Sequence, residues 1–426
     1  MDRIKGYLVI VIIGCFAVSN AQEGEIYFRD QVYVSNIRSV HLSQLGLPIS
    51  LPIYQMGTPA ALVLTFDDMD ADFKYYTYQL VHCDMFWTPS ELMYHEFATG
   101  FENEEILEYA SSITTRIPFA NYRLTIPNRR TEITKSGNYM LIVHEQGDIS
   151  TPILSRRFVV LEPPVITTRM VKVRPANVSR MNTHQEIRFD IDTKELRIRD
   201  PKTEIMATML QNGRWDNAVF NLRSRYEKGA VLVFDYLDKI VFPAGKEFRS
   251  VDIRSTEYRG EGVFSLEKVD GYIRSIGKLD KNRSLEPYFT KVDINGKFLI
   301  SSTDYPNPAD YDLRCDYVEH IFTIETGKKY DQDVYVFGEL TDWQLKDEFR
   351  LNYDEEYASY TTATWLKQGF YDYIYVLGNA DGSPDEATLE GNWYESTNDY
   401  TLLVYYRPFG ARYDRAIAAT SFEWGR

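Results

Sequence analysis

Along most of the chain apolar and polar residues alternate with a period of two, in short runs broken by Gly, Pro, Asn and Asp. That spacing puts every second side chain on one face of an extended backbone, so it predicts half-buried strands. The first third yields strands at 26–28, 32–34, 40–42, 60–66, 73–81, 122–126, 139–144 and 155–161, with the proline-bearing stretch 47–54 as a connector or edge strand. A second region offers 165–173, 186–191, 205–211, 231–236, 248–255, 288–293 and 298–301. A third offers 318–325, 334–343, 357–365, 369–376 and 400–406. No helical period is sustained. The exceptions are short. Thr88 and Glu91 fit a capping box with Pro89 at the first helical position, and 104–109 reads as one further turn.

Short strands at this spacing, with turn residues between them, argue for antiparallel sandwiches. Ser136-Gly137-Asn138-Tyr139 entering a strand looks like the late corner of an immunoglobulin-like domain, and Asn295-Gly296 suits a turn needing positive φ. The fold class is therefore all-β: tandem immunoglobulin-like β-sandwich domains with a short helical insertion in the first. Glu162-Pro163-Pro164 is the cleanest boundary, and the Pro/Tyr-punctuated stretch 304–311 leads to another near Val318. The expected organisation is a signal peptide at 1–21, then domains at 22–162, 163–317 and 318–426.

The 426 residues carry a net charge of −15. That argues against non-specific nucleic-acid binding and against docking on an anionic lipid surface. The N-terminus changes the picture more. Arg3 and Lys5 precede an apolar run over 6–18, too short for a transmembrane helix, and Ser19-Asn20-Ala21 offers a cleavage site. Ile12-Ile13-Gly14-Cys15 also fits a lipobox, with Cys15 as lipid anchor; the apolar run continues past it, which favours cleavage after Ala21. The mature chain then keeps Cys83 and Cys315, which form a long-range disulfide or stay as two buried thiols.

Candidate chemistry is sparse. Asp67, Asp68, Asp70 and Asp72 have the spacing of half a calcium loop, but a sharp-turn Gly and a bidentate Glu are missing; a solvated acidic hairpin tip is the plainer reading. The six histidines (41, 82, 95, 144, 184, 320) form no metal-ligand pair. His82 and Cys83 are strand neighbours and point to opposite faces. Serine elbows, P-loops and dinucleotide turns are absent. Trp343 with Tyr371, Tyr373 and Tyr375 could form a sugar-stacking platform if exposed and coplanar; otherwise this face is the sandwich core or a protein interface. No catalytic, cofactor-binding or metal-binding residue is assigned, and no partner-interface residue.

The run Val334-Tyr335-Val336-Phe337-Gly338 through Trp343, with Leu366-Lys367-Gln368-Gly369 ahead of Tyr371 and Tyr373, resembles an early-set immunoglobulin-like fold of the glycogen-binding-module kind. Leu64-Thr65-Phe66-Asp67-Asp68, His82-Cys83, Trp87-Thr88-Pro89-Ser90, Lys135-Ser136-Gly137-Asn138-Tyr139 and Arg156-Arg157-Phe158 resemble the first domain of the type IX secretion plug proteins of Bacteroidota. Gln211-Asn212-Gly213-Arg214-Trp215-Asp216-Asn217, Lys246-Glu247-Phe248-Arg249 and Asp293-Ile294-Asn295-Gly296 continue the likeness, with Lys246 in place of the usual Asn. The resemblance implies a periplasmic, non-enzymatic protein that docks on the inner mouth of the giant SprA/Sov-type outer-membrane barrel and blocks leakage while no substrate passes. It implies no cofactor, small-molecule substrate, nucleic acid or direct membrane insertion. An extracytoplasmic carbohydrate-binding module protein is the alternative. An outer-membrane barrel is disfavoured because the strands are too short and irregular for an apolar outer band.

Overall fold

The computed structural model describes residues 28–424; the expected signal peptide, the Cys15 lipobox and residues 26–27 of the strand expected at 26–28 lie outside the described residues, and Phe28 is in a bend. The architecture is all-β and is built from three sandwiches.

The first sandwich pairs two sheets. One runs Gln31–Val32, Pro152–Leu161, Gly137–Glu145, Tyr76–Cys83, Glu104–Glu105, with Ile53–Gln55 lying parallel to the end of Pro152–Leu161. The other runs Ile37–Gln44, Leu62–Asp68, Ala120–Ile126, Glu108–Ser111. Between them lies a core of Leu64, Phe66, Tyr76, Tyr122, Leu141 and Phe158 among others. The expected corner is present. Tyr139 Oη donates to Lys135 O at 2.8 Å, tying the loop to the strand it enters.

The helical expectations are corrected. The chain stays extended past Thr88, because Ser90 N bonds back to His82 O and Pro89 bridges Cys83. Asp84 takes up the turn instead, its carboxylate accepting from the Phe86 and Thr88 amides. A single helical turn follows at Tyr94–Phe97, with Glu96 accepting from Met93 N. The expected turn at 104–109 is two short strands, Glu104–Glu105 and Glu108–Ser111. The stretch 288–293 has no strand pairing.

The sheets do not follow the expected serial segments 163–317 and 318–426. The second sandwich takes one sheet from Thr167–Val173, His184–Asp192, Val231–Phe234 and Tyr226–Lys228. Its other sheet runs Val219–Leu222, Ile205–Gln211, Asn398–Tyr406, Arg415–Trp424. Ile205 lies opposite Tyr406, so the last strands return across the whole third sandwich to close the second. The reason is burial. Ile205–Gln211 is buried on both faces and needs a neighbour that is too, and Asn398–Tyr406 supplies one.

The third sandwich is thus an insertion. Its strands form one continuous sheet that folds over at Arg350–Asp354, which pairs with Val334–Phe337 on one side and Ser359–Lys367 on the other. A second tyrosine corner stands here, with Tyr371 Oη donating to Lys367 O at 2.6 Å.

Candidate functional site: the joints between the sandwiches

Gly137–Glu145 carries the unbroken apolar run Tyr139–Val143 because it too is buried on both faces. Tyr139, Leu141 and Val143 enter the first core, while Met140 and Ile142 point outward. There they meet Met206, Leu210, Leu403 and Tyr405 of the second sandwich. The two sandwiches therefore share a sheet-on-sheet core. Its polar edge is fixed by Tyr405 Oη donating to Asn138 Oδ1 at 2.8 Å and by the Arg415–Glu162 ion pair at 2.5 Å. At one end the Trp87 and Trp215 rings meet edge to face at 4.7 Å, and the Arg157 guanidinium lies over both.

The first and third sandwiches meet at the acidic run, and here the solvated-tip reading is corrected. Asp67 is fully buried. It faces the Lys367 ammonium at 2.6 Å and accepts from Tyr317 Oη and Asn121 Nδ2, each at 2.8 Å. Burial raises the Asp67 pKa, against the pull of Lys367. Asp68 is buried on the other face of the strand. Burial pushes its pKa up, but it accepts from Tyr76 Oη at 2.9 Å, Asn36 Nδ2 at 2.8 Å and Asp70 N at 3.0 Å and faces Lys74 Nζ at 3.1 Å, and these bonds hold the pKa below the usual carboxylate range. Only Asp70 and Asp72 are solvated, and Lys74 pairs with Asp70 at 2.5 Å. Asp67 and Asp68 thus serve different partners on opposite faces. Among the described residues no group of three or more His, Cys, Asp or Glu is placed to hold a metal ion.

The second and third sandwiches meet at the tip of the hairpin Ile205–Gln211/Val219–Leu222. Asn212 and Gly213 turn it with φ of 55° and 73°. Arg214 is buried and reaches Asp216 and Glu386, each at 2.7 Å, with its guanidinium 4.5 Å from the centre of the Trp343 ring. The two carboxylates outweigh desolvation and keep it charged. The same tip touches the first sandwich, since a Cβ on Gly213 would stand 2.4 Å from Leu51 Cδ2. One hairpin therefore contacts all three bodies. Beside it lies a cleft of about 900 Å³, lined by His41, Leu51, Arg157, Trp215, Asp342 and Trp343. Its charges are largely committed: Arg156 pairs with Asp342 at 3.1 Å and Lys346 with Asp342 at 2.6 Å.

The other candidates are placed as follows. His82 packs on Tyr139 and Phe97, bonded to Ser90 Oγ and Ser136 O, and burial lowers its pKa to about 4. Cys83 lies on the opposite face, in the core shared with the second sandwich, and burial pushes its thiol up to about 12. Cys83 and Cys315 are both buried and free. Tyr371, Tyr373 and Tyr375 all belong to the third core and Trp343 lies under Arg214, so this face is no sugar platform. Lys367, Arg214 and Tyr405 were not singled out as functional by residue type. Arg214 lies inside a string that carries the family resemblance, and Asp67, Trp87, Asn138, Arg157 and Gly213 also come from such strings.

Fold and joints define an all-β protein of three sandwiches held together by buried contacts. Residues 37–162 match the model of the type 9 secretion system plug protein 1st domain, which places this first sandwich in the type 9 secretion plug family. The structure is also similar to the crystal structure of a hypothetical protein from Parabacteroides merdae ATCC 43184. The two are 30% identical, with a TM-score of 0.88 over 94% of this chain and 100% of the other. The overlap with collagen adhesin from S. aureus, 8% identical with a TM-score of 0.11, carries no argument. No curated protein matches the chain. The plug-domain match supports a general role in type 9 secretion and an extracytoplasmic location.

Proposed function

We propose that this protein is a periplasmic plug. It binds the periplasmic opening of the giant outer-membrane barrel of the type 9 system and seals it when no substrate is in transit. The family match carries the reading. The joints support it: a seal must resist deformation, and three sandwiches tied by a shared core, a buried ion pair and a three-way hairpin tip cannot swing freely about linkers. A seal also needs no chemistry. The buried thiol at Cys83 and the neutral, enclosed His82 are poor reagents. The carbohydrate-binding alternative loses its support with the burial of Tyr371, Tyr373 and Tyr375.

Affinity purification of the tagged mature protein from native envelopes, followed by mass spectrometry, tests this. Recovery of a very large outer-membrane barrel is the expected result. Retention on glucan or peptidoglycan without any barrel would overturn the reading.

A further inference from the structure

Gly369–Gly378 sends Tyr371, Tyr373 and Tyr375 into the third core, so alternation puts Asp372 on its outer face with Ile374 and Val376. That face is closed. Phe248, Phe337 and Trp343 pack on Ile374 and Val376, and the turn 293–296 covers Asp372. Asp372 is buried completely and Asp293 almost so. Asp372 accepts from Ile294 N at 2.6 Å, Gly296 N at 3.4 Å and Ser250 Oγ at 2.8 Å. Asp293 accepts from Phe248 N at 2.5 Å and Asn295 N at 3.2 Å. Two carboxylates thus crowd one turn.

Among the described residues no cation forms an ion pair with either, because the neighbouring cations are held elsewhere. Lys291 acts on Asp372 from a distance; its ammonium donates to Ser250 Oγ at 2.9 Å and pairs with Glu261 at 2.8 Å. Arg249 is held by Asp280 and Glu390 at 2.7 and 3.0 Å. Lys297 donates to Ile49 O at 2.9 Å and faces the buried carboxyl of Glu339. Asp342 already has Arg156 and Lys346. A third buried carboxylate, Glu247, stands one residue before Phe248. One of its oxygens accepts from Tyr288 Oη at 2.5 Å and Thr397 N at 3.2 Å. Among the described residues its other oxygen has no donor, and neither has Asn295 Oδ1. Buried carboxylates without a cation are costly unless a proton joins them. That proton removes a charge and supplies a donor at once.

The turn is wired to the joints. A Cβ on Gly296 would stand 2.4 Å from Trp343 Cη2, so its backbone packs directly on the ring. Arg214 lies over that same ring, at the hairpin tip that contacts all three sandwiches. Glu339 N donates to Gly296 O at 2.8 Å. Lys297 ties the turn to Ile49 of the first sandwich, and Glu247 holds Thr397 at the entrance to Asn398–Tyr406 of the second. We propose that the turn 293–296 is a proton-dependent latch on this three-way joint. With a proton on the Asp293–Asp372 pair, the turn seats on Trp343 and steadies the hairpin tip. Without it, two like charges lacking a cation loosen the turn, the ring and the tip together. Burial first, then the like charge of Asp372, pushes Asp293 up to about 7 against its bonds from Phe248 and Asn295. Burial pushes Asp372 up to about 6 against Ser250, the turn amides and Lys291. A raised folded pKa gives stability below it that is lost as pH rises through it. The latch is therefore tight in mild acid and weakens through neutrality.

The latch acts within the chain and is independent of the plug reading. Amide exchange of the full mature chain, corrected for the intrinsic pH dependence of exchange, tests it at about pH 5.5 and about pH 8. Protection at 212–216 and 293–297 should fall about tenfold over that range, while protection at Gly137–Glu145 in the other joint holds. The double variant Asp293→Asn and Asp372→Asn should lose the pH dependence. Glu339→Gln should keep most of it, which separates the pair from the buried glutamate that titrates nearby. Wild-type protection at the tip that ignores pH overturns the latch. So does a double variant that responds as the wild type does, or a Glu339→Gln chain that no longer responds. Should the double variant not fold, the wild type still decides the matter. The assigned carbon-13 carboxyl signals of Asp293 and Asp372 should titrate between about pH 5 and pH 8, and titration of either below about pH 5 overturns the latch.

Discussion

Replacing Lys367 with Met removes the cation from the joint between the first and third sandwiches and leaves most of the volume. Asp67 then keeps Tyr317 and Asn121 as donors but loses its counter-charge, in a site where both side chains of the pair are about 2% exposed or less. Removing one partner of a buried pair costs about 3–5 kcal/mol, because the remaining charge is left without compensation. Removing both should cost far less, so Asp67→Asn with Lys367→Met should recover about 2 kcal/mol or more of that loss. The pH dependence has a definite sign. Burial already raises the Asp67 pKa and Lys367 is its largest opposing influence, so the single variant raises it further. A group whose folded pKa is raised contributes stability below that pKa and loses it as pH rises through it. The deficit of Lys367→Met is therefore largest at pH 8 and shrinks toward pH 5, as Asp67 takes up a proton in the folded state. Three sandwiches need not unfold as one, so urea unfolding should be paired with amide exchange on Leu62–Asp68 and Ser359–Lys367, which report the joint directly. A loss under about 1 kcal/mol at pH 8, a deficit that does not move with pH, or a double variant no better than the single one would refute the reasoning.

Other perturbations probe the remaining joints. Gly213→Ala combines a φ of 73° with a Cβ 2.4 Å from Leu51, so it should cost about 1–3 kcal/mol. Adding Leu51→Ala should relieve the clash in amide-exchange protection at the hairpin tip while leaving the backbone strain. Glu339 is driven up to about 7, chiefly by burial, so Glu339→Gln should stabilise the protein at pH 8, by at most about 3 kcal/mol and less for the part of the side chain that water reaches. That gain should shrink in denaturation midpoints as pH falls and vanish only below the ordinary glutamate range, at about pH 4, and a gain that persists there contradicts the assigned cause. Tyr139→Phe and Tyr371→Phe each remove one corner bond, and each should lower stability by about 1 kcal/mol without loosening the joints.

Most strands were legible because alternation and turn residues are local signals. Asn212-Gly213 and Asn295-Gly296 both adopt the positive φ their chemistry favours, and Ser136-Gly137-Asn138-Tyr139 makes the expected corner. The return of Asn398–Tyr406 to Ile205–Gln211 was not legible, since nothing in either strand's period says which partner it will have. The same limit explains Asp67. A run of aspartates after a strand reads as a wet turn, and only a lysine 300 residues further along makes the first of them a buried anchor. The Thr88 capping signal lost to local turn bonds, in which the Asp84 carboxylate accepts from Thr88 N and the His82 carbonyl from Ser90 N. Alternation put Tyr371, Tyr373 and Tyr375 on one face, but could not say whether that face met water or the opposing strands.

The most direct test of the plug reading is electrical. The outer-membrane barrel recovered with the protein is reconstituted in a planar bilayer, and the purified mature protein is added to the periplasmic side alone. The account predicts that a large open conductance closes on addition, reopens on washout and is unaffected from the opposite side. Conductance unchanged at protein concentrations that saturate binding would contradict it.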